Sequence, residues 1–384
     1  MQDLILLGIV SFLIFLAPLI NSLTKIPIVV VEMLLGAFVA NIGINIENEM
    51  MKDVAHIGFL FLMFLAGIEV DIKTFRSLGK NFLKKMISFF FILYSSTIIV
   101  VLLCDLSIVY VIALPVMSLG MIITLIQDYG KNEFWIDLSL KIGIIGELIS
   151  ISMLVLLDGY YSFGMGLDLY KSLGVLFVFL FCMIVVFKLT DMLFWWFPSL
   201  RLILIPTNGV MNQDIRYSMM IFFIMIVIVS LLDIEVALGA FLSGIVISSF
   251  FKYNKELHHK LSNFGFGFLI PLFFVYTGST INIDAIIHDF VIIKHAIYIS
   301  MAMVLVRFIA TCAVFSPMLK NIKNILLFSF SASMPLTFLV ATATLALNIN
   351  AIDRNEYYSF VLAAMMEGIL FTVFIKLIFN FKKF

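Results

Sequence analysis

An acid inside an apolar run is the first residue in this chain that could do chemistry. Phe134 to Leu157 is hydrophobic and long enough to cross a bilayer, so Glu147 falls near mid-membrane. An ionisable side chain there costs on the order of a few kcal/mol. The surrounding words are Ile142-Gly143-Ile144-Ile145-Gly146-Glu147-Leu148-Ile149-Ser150-Ile151-Ser152. On a helix Ser150 shares the face of Glu147 one turn on, and Gly143 one turn before clears bulk from that face. A carboxylate in such a pocket is a hard oxygen ligand for an alkali cation, and desolvation favours the protonated form of any carboxylate. Proton and cation then compete for the same oxygens. Exchange of one for the other follows if only a loaded carboxylate crosses between the two faces. The plainer alternative is a carboxylate neutralised or ion-paired for packing alone; intramembrane acids are functional by default, which favours the first reading.

Such a residue needs a membrane protein around it. The chain of 384 residues is 63% hydrophobic and 12% charged, with 41 Phe and a mean hydropathy of +1.17, more apolar surface than a soluble globule can bury. Its formal net charge is zero, which offers no case for nucleic acid. Cys104, Cys182 and Cys312 lack metal-ligand or redox spacing, and no cofactor is expected. Apolar runs of about 17 to 25 residues predict an all-α polytopic protein of about thirteen spans: 4–20, 26–44, 54–70, 83–103, 107–127, 134–157, 169–196, 215–232, 235–251, 264–280, 291–317, 322–348 and 357–379. The weakest boundary is Asp233-Ile234-Glu235. The first span has no basic region before it and is expected to be retained. No soluble regulatory or nucleotide-sensing domain is expected, and Gly265-Phe266-Gly267 lacks the strand and third glycine of a dinucleotide site.

Charge placement fits that span count. With the N-terminus outside, the cytoplasmic side takes 18 of the 24 basic residues, among them Lys73, Arg76, Lys80, Lys84, Lys85, Lys252, Lys255 and Lys260, and the C-terminus is cytoplasmic. Outside lie Lys52, Lys171, Lys294 and Arg354, while Lys141 and Arg307 sit inside the membrane. This is the asymmetry of a protein in a cytoplasmic (inner) membrane. Lys141 lies off the face of Glu147, and snorkelling accounts for it.

Two spans carry breaks. The fifth is interrupted at Pro115 and Gly120 and the twelfth at Pro335; each proline removes a backbone donor and exposes polar backbone at membrane depth. Seven spans separate them, an odd offset that predicts two inverted repeats whose broken helices cross at mid-membrane, as in secondary transporters. Ser118, Thr337 and Ser333 at the breaks could be hydroxyl ligands, or could satisfy freed backbone groups. Arg307 offsets the partial negative charge at half-helix C-termini and could pair with Glu147 or Glu367. Glu367, with Ala363 and Ala364 one turn before it, is either a second site residue or the partner of Arg307. No His, Cys or Ser constellation near Glu147 suggests bond chemistry, so the chain is not expected to be an enzyme.

Four stretches resemble the monovalent cation:proton antiporter-2 family, which includes Kef-type potassium efflux proteins and Nap-type sodium/proton exchangers. They are residues 26–36 (Ile-Pro-Ile-Val-Val-Val-Glu-Met-Leu-Leu-Gly), 58–71 (Gly-Phe-Leu-Phe-Leu-Met-Phe-Leu-Ala-Gly-Ile-Glu-Val-Asp), 237–244 (Ala-Leu-Gly-Ala-Phe-Leu-Ser-Gly) and 271–278 (Pro-Leu-Phe-Phe-Val-Tyr-Thr-Gly). The resemblance implies a single transporter domain with a core (about 83–157 and 291–379), a dimerising panel (about 4–70 and 215–280) and a linker helix (about 169–196). It also implies a homodimer. Glu147 stands where the family has an acidic pair or an amide-acid pair, with Gly146 before it, and Arg307 matches the family's eleventh-span Lys or Arg. Glu32 falls in the panel and is read as structural. Met117-Ser118 replaces a more polar pair at the fifth-span break, and the Arg-Gly-Glu of some relatives is absent around Pro335.

The expected function is therefore secondary antiport of Na+, K+ or Li+ against H+ by alternating access, one for one. Glu147 carries the ion, Ser150, Ser118 and Thr337 complete the site, and Arg307 and Glu367 compensate charge. Kef-like potassium efflux is the rival transporter reading, and a channel or sensor without turnover is the rival class. The partners are the two ions and the surrounding lipids.

Overall fold

The computed structural model describes residues 2–24, 26–44, 48–69, 79–130, 133–163, 212–232, 236–251, 255–281 and 289–380, with single positions between 174 and 196. Among the described residues the regular structure is helical throughout. In chain order the helices are α1 (Gln2–Thr24), α2 (Ile28–Asn41), α3 (Glu49–Glu69), α4 (Lys80–Leu103), α5 (Ile108–Ala113), α6 (Gly120–Tyr129), α7 (Phe134–Phe163) and α8 (Gln213–Leu231). They continue as α9 (Val236–Phe250), α10 (Lys255–Phe264), α11 (Ile270–Ser279), α12 (Phe290–Leu319), α13 (Ile322–Ala332), α14 (Leu336–Asn348) and α15 (Arg354–Asn380). Among the described residues, eight helices are long and apolar enough to cross a membrane, or nine spans if the bent pair α13 and α14 counts as one, with α2 and α9 as shorter apolar helices.

Helix ends follow local chemistry. Pro27 fixes the start of α2, its carbonyl accepting from Val30 and Val31 N–H. Asp289 caps α12 by accepting from Val291 N–H at 3.0 Å. α6 stops at Gly130, whose φ of 81° is open to glycine and strained for other residues.

Most predicted spans lie within a few residues of the observed helices, and one differs. The tenth begins at Lys255 rather than near 264, because Lys255–Phe264 joins α11 through a π-helical segment, Gly265–Leu269. An apolar-run criterion cannot see it: the sequence is polar, and only Leu257 and Leu261, one turn apart, are buried. The predicted linker span 169–196 falls outside the described residues except at single positions, as do Cys182, Lys25, Lys73, Arg76, Lys171, Lys252 and Asp233 to Glu235.

Packing divides the chain into two units. In the described part of Met1–Ile14, Ile46–Arg76 and Gly159–Tyr276, α3 and α9 meet backbone to backbone. A Cβ on Gly67 would sit 2.0 Å from the Phe241 carbonyl oxygen, and one on Gly244 would sit 2.1 Å from that of Phe64. Phe61, Phe64, Phe222 and Phe264 stack around the same helices. In the other unit, Phe15–Asn45, Ser77–Asp158 and Thr277–Phe384, α12 packs on α4, α13 and α15. The half-helices of the two broken spans are paired there, α5 with α14 and α6 with α13.

Candidate functional site

The site is built on backbone that two prolines have taken out of helical order. Between α5 and α6, residues 114–119 are unwound, and their polar groups need partners at a depth where water is scarce. Arg307 of α12 supplies them. Its Nη1 donates to the Leu114 carbonyl at 2.7 Å and to its own helix at Met303 (2.9 Å), and its Nη2 donates to the Val116 carbonyl. The Met117 N–H donates to Ser150 Oγ at 3.0 Å, and that hydroxyl donates onward to the Gly146 carbonyl at 2.7 Å. Val116 N–H reaches back to Ala113 at 3.4 Å.

The second break, at Ser333 to Pro335, bends α13 against α14 by 44°. Ser333 donates to the Ser329 carbonyl at 2.7 Å. The two breaks touch where Ser118 Oγ and Thr337 Oγ1 lie 3.0 Å apart. One turn-rich layer away, Ser139 of α7 and Ser331 of α13 share a buried hydroxyl contact of 2.7 Å.

Glu147 sits at the middle of α7 and is 2% exposed. Both residues that flank it on its helix reach the first break. A Cβ at Gly146 would fall 2.4 Å from Met117 Sδ and 2.9 Å from Met117 Cβ, and Ser150 holds the Met117 N–H. Gly143 lets Leu119 and Ile122 close in beside them. Of the predicted residues, Ser150 and Thr337 thus meet Met117 and Ser118 of the first break, and Glu147 lies on α7 between two residues that contact Met117. Ser150 spends its proton on Gly146 and one lone pair on Met117, leaving one lone pair for a ligand.

Arg307 is fully buried. The ionisable groups that act on it include Glu367 of α15 and Tyr94 of α4, and Glu367 is one of the two expected acidic partners. No direct hydrogen bond joins the two, since neither Glu367 oxygen has a hydrogen-bond partner. Glu32 is buried in α2, away from both breaks in sequence, and Lys141 is half-exposed in an ion pair with Asp137 at 2.6 Å. Tyr94 and Ser300, which also lies near Glu367, escaped the sequence reading. The signal for Ser300 was its position seven residues before Arg307, on the same face of one helix.

Chemically, the arrangement offers the hydroxyls of Ser118 and Thr337 at the positive N-terminal ends of α6 and α14, and a guanidinium at the negative C-terminal end of α5. Among the described residues no cluster of three or more His, Cys, Asp or Glu could hold a resident metal.

The profile of the family described as "Sodium/hydrogen exchanger, transmembrane" matches residues 9–381. The chain belongs to that family. Sodium/hydrogen exchangers are transporters rather than enzymes, and the relatives agree. The chain is 24% identical over 400 residues to the putative Na(+)/H(+) antiporter YjbQ of Bacillus subtilis, covering 97% of this chain and 63% of that protein. It is 27% identical over 300 residues to the probable Na(+)/H(+) antiporter 3 of Methanocaldococcus jannaschii, covering 72% of this chain and 71% of the relative. The solved sodium proton antiporter MjNhaP1 from Methanocaldococcus jannaschii superposes with a TM-score of 0.65 over 98% of this chain and 97% of the other, at 15% identity. The exchanger fold is therefore shared. The chain spans less than two thirds of the length of the Bacillus subtilis relative.

Proposed function

We propose that this exchanger-family chain is a secondary active antiporter that trades a monovalent cation, Na+ in the first place, for H+ by alternating access, with Glu147 as the shared carrier. The observation that carries the reading is the position of Glu147: buried mid-helix, with Gly146 on one side against the Met117 side chain and Ser150 on the other holding the Met117 N–H. The names of the relatives support sodium and protons as the pair.

In this mechanism the carboxylate binds Na+ or H+ but not both, because each occupies the same oxygens. Ser118 and Thr337, one at each break, add hydroxyl oxygens to the cation's shell. Ser150 positions the Met117 amide and has one lone pair to add. Arg307 neutralises the exposed carbonyls of Leu114 and Val116, so the break costs less in the membrane. With one carboxylate at the site, exchange is one for one and electroneutral. The breaks, seven spans apart in the predicted order, support an inverted-repeat origin for the two halves. The expected core and panel, the homodimer, the cytoplasmic-membrane location and the outside N-terminus belong to the same proposal.

Purified protein in liposomes with an internal pH dye tests it. Imposed Na+ gradients are expected to move protons, Glu147→Ala to abolish the movement, and Li+, Na+ and K+ to rank by rate. Full exchange by Glu147→Ala would sink the reading. A rate highest with K+ would favour the potassium-efflux alternative, and proton currents driven by voltage alone would favour a channel.

A further inference from the structure

α12 and α15 pack together, and three of their side chains keep buried polar atoms that no protein group satisfies: Ser300 Oγ, Arg307 Nε and both carboxylate oxygens of Glu367. Arg307 and Glu367 are fully buried. Ser300 precedes Arg307 by seven residues, two turns of α12, so the two share a face. Both act on Glu367, Ser300 as a long hydrogen-bond donor and Arg307 through its charge; at ordinary hydrogen-bond distance neither oxygen has a partner. The other two nitrogens of Arg307 bond Leu114, Met303 and Val116, and the Nε–H is left without a protein partner.

The unsatisfied groups are complementary to one small molecule. Two donors, the Arg307 Nε–H and the Ser300 hydroxyl, stand with two acceptors, the oxygens of Glu367; a water molecule offers two lone pairs and two hydrogens. A second cation does not fit, because the guanidinium already supplies positive charge. A carboxylate and a guanidinium buried here without such a bridge would each bear a penalty of several kcal/mol.

We propose that Ser300, Arg307 and Glu367 hold a bound water that ties Glu367 to Arg307 as its permanent counter-charge, and that this fixed negative charge keeps the unloaded carrier from reorienting. The inference rests on the antiport reading above. Arg307 and Glu367 cancel, so the charge of the transporting region is set by Glu147 alone. With Na+ or H+ on Glu147 the region is neutral and free to cross; empty, it carries one negative charge and is held back. Tyr94 is an uncharged phenol in this tally. Without the charge of Glu367 the balance inverts: the loaded carrier becomes positive, and the empty carrier, with Glu147 against Arg307, becomes neutral. The empty carrier then returns without a load, and coupling is lost.

The experiment compares wild type, Glu367→Gln, Glu367→Asp and Ser300→Ala in liposomes. Na+ efflux is followed into Na+-free, strongly buffered alkaline medium with the membrane voltage clamped by a potassium ionophore, so that no proton is available for the return. Wild type is expected to stall at every voltage. Glu367→Gln is expected to leak Na+ at least about tenfold faster at inside-positive voltage than at zero, because its loaded carrier now bears the positive charge while its empty form returns neutral. Glu367→Asp keeps the charge and is expected to stay coupled, and Ser300→Ala is expected to leak less than Glu367→Gln. Tight coupling in Glu367→Gln overturns the proposal. If that variant does not fold, Ser300→Ala decides: a voltage-driven Na+ leak above wild type supports the proposal, and none overturns it. Absence of any Glu147-dependent exchange in wild type would instead remove the antiport reading itself.

Discussion

Replacing Gly146 by Ala should loosen the candidate site by an amount that the geometry sets. The new methyl would lie 2.4 Å from Met117 Sδ, 2.9 Å from Met117 Cβ and 3.0 Å from its Cγ. The sulfur can swing aside, but Met117 Cβ is fixed to an unwound backbone already tied down through its N–H to Ser150. Overpacking of this kind costs about 1–3 kcal/mol, and the gain of Ala over Gly in a helix returns about 0.5–1 kcal/mol. The net loss is on the order of 1–2 kcal/mol. Gly143→Ala meets only the flexible ends of Ile122 and Leu119 at 2.8 and 3.1 Å, so its net change should be close to zero. Gly8→Ala meets nothing within 4 Å and should be neutral or slightly stabilising. The assay is unfolding of the purified protein in detergent, paired with the Na+ concentration that gives half-maximal exchange. Gly146→Ala should lower stability and weaken apparent Na+ affinity together, because Met117 is bonded to Ser150 and precedes Ser118. Equal stability and affinity across the three variants would refute the close contact between α7 and the first break.

Other outcomes follow from the same contacts. Arg307→Gln leaves the carbonyls of Leu114 and Val116 without their donors, a loss of about 2–6 kcal/mol at about 1–3 kcal/mol per orphaned group, measurable by detergent unfolding; Arg307→Lys should recover part of it. Ser150→Ala strands the Met117 N–H and should cost about 1–3 kcal/mol in the same assay. Glu147→Gln should end exchange while leaving the protein as stable as wild type or more so, because a buried charge is removed. In wild type the apparent Na+ affinity should fall as pH is lowered, since protons then win the shared carboxylate, and a pH-independent affinity measured by isotope binding would contradict the competition. Gly67→Ala, whose methyl would strike the Phe241 backbone, should destabilise beyond the roughly 1–3 kcal/mol of side-chain overpacking.

Much of this organisation was legible because the membrane restricts what a sequence can mean. Long apolar runs had to be helices, Pro115 and Pro335 had to interrupt them, and Glu147 and Arg307 stood out as charges in oil. The polar helix Lys255–Phe264 was missed because only Leu257 and Leu261 mark its buried stripe. That Glu367 lies near Arg307 was also beyond reach, since it depends on how α12 faces α15 rather than on spacing within either. Nor could the sequence tell that Ser150 is bonded to an amide 33 residues earlier. Hydroxyl groups read alike as ligands or as backbone partners until the backbone around them is known.

The carbonyls at Leu114 and Val116 receive their hydrogen bonds from a side chain 193 and 191 residues further along the chain. During synthesis the fifth span therefore emerges well before the arginine that completes it has been translated. Until α12 is inserted, those oxygens must be met by water or by the insertion machinery, and the first half of the protein waits in an unfinished form. The final shape of the early segment is thus a late event in biogenesis, and a nascent chain truncated before Arg307 should expose that region to cleavage or to surveillance by the quality-control proteases of the membrane.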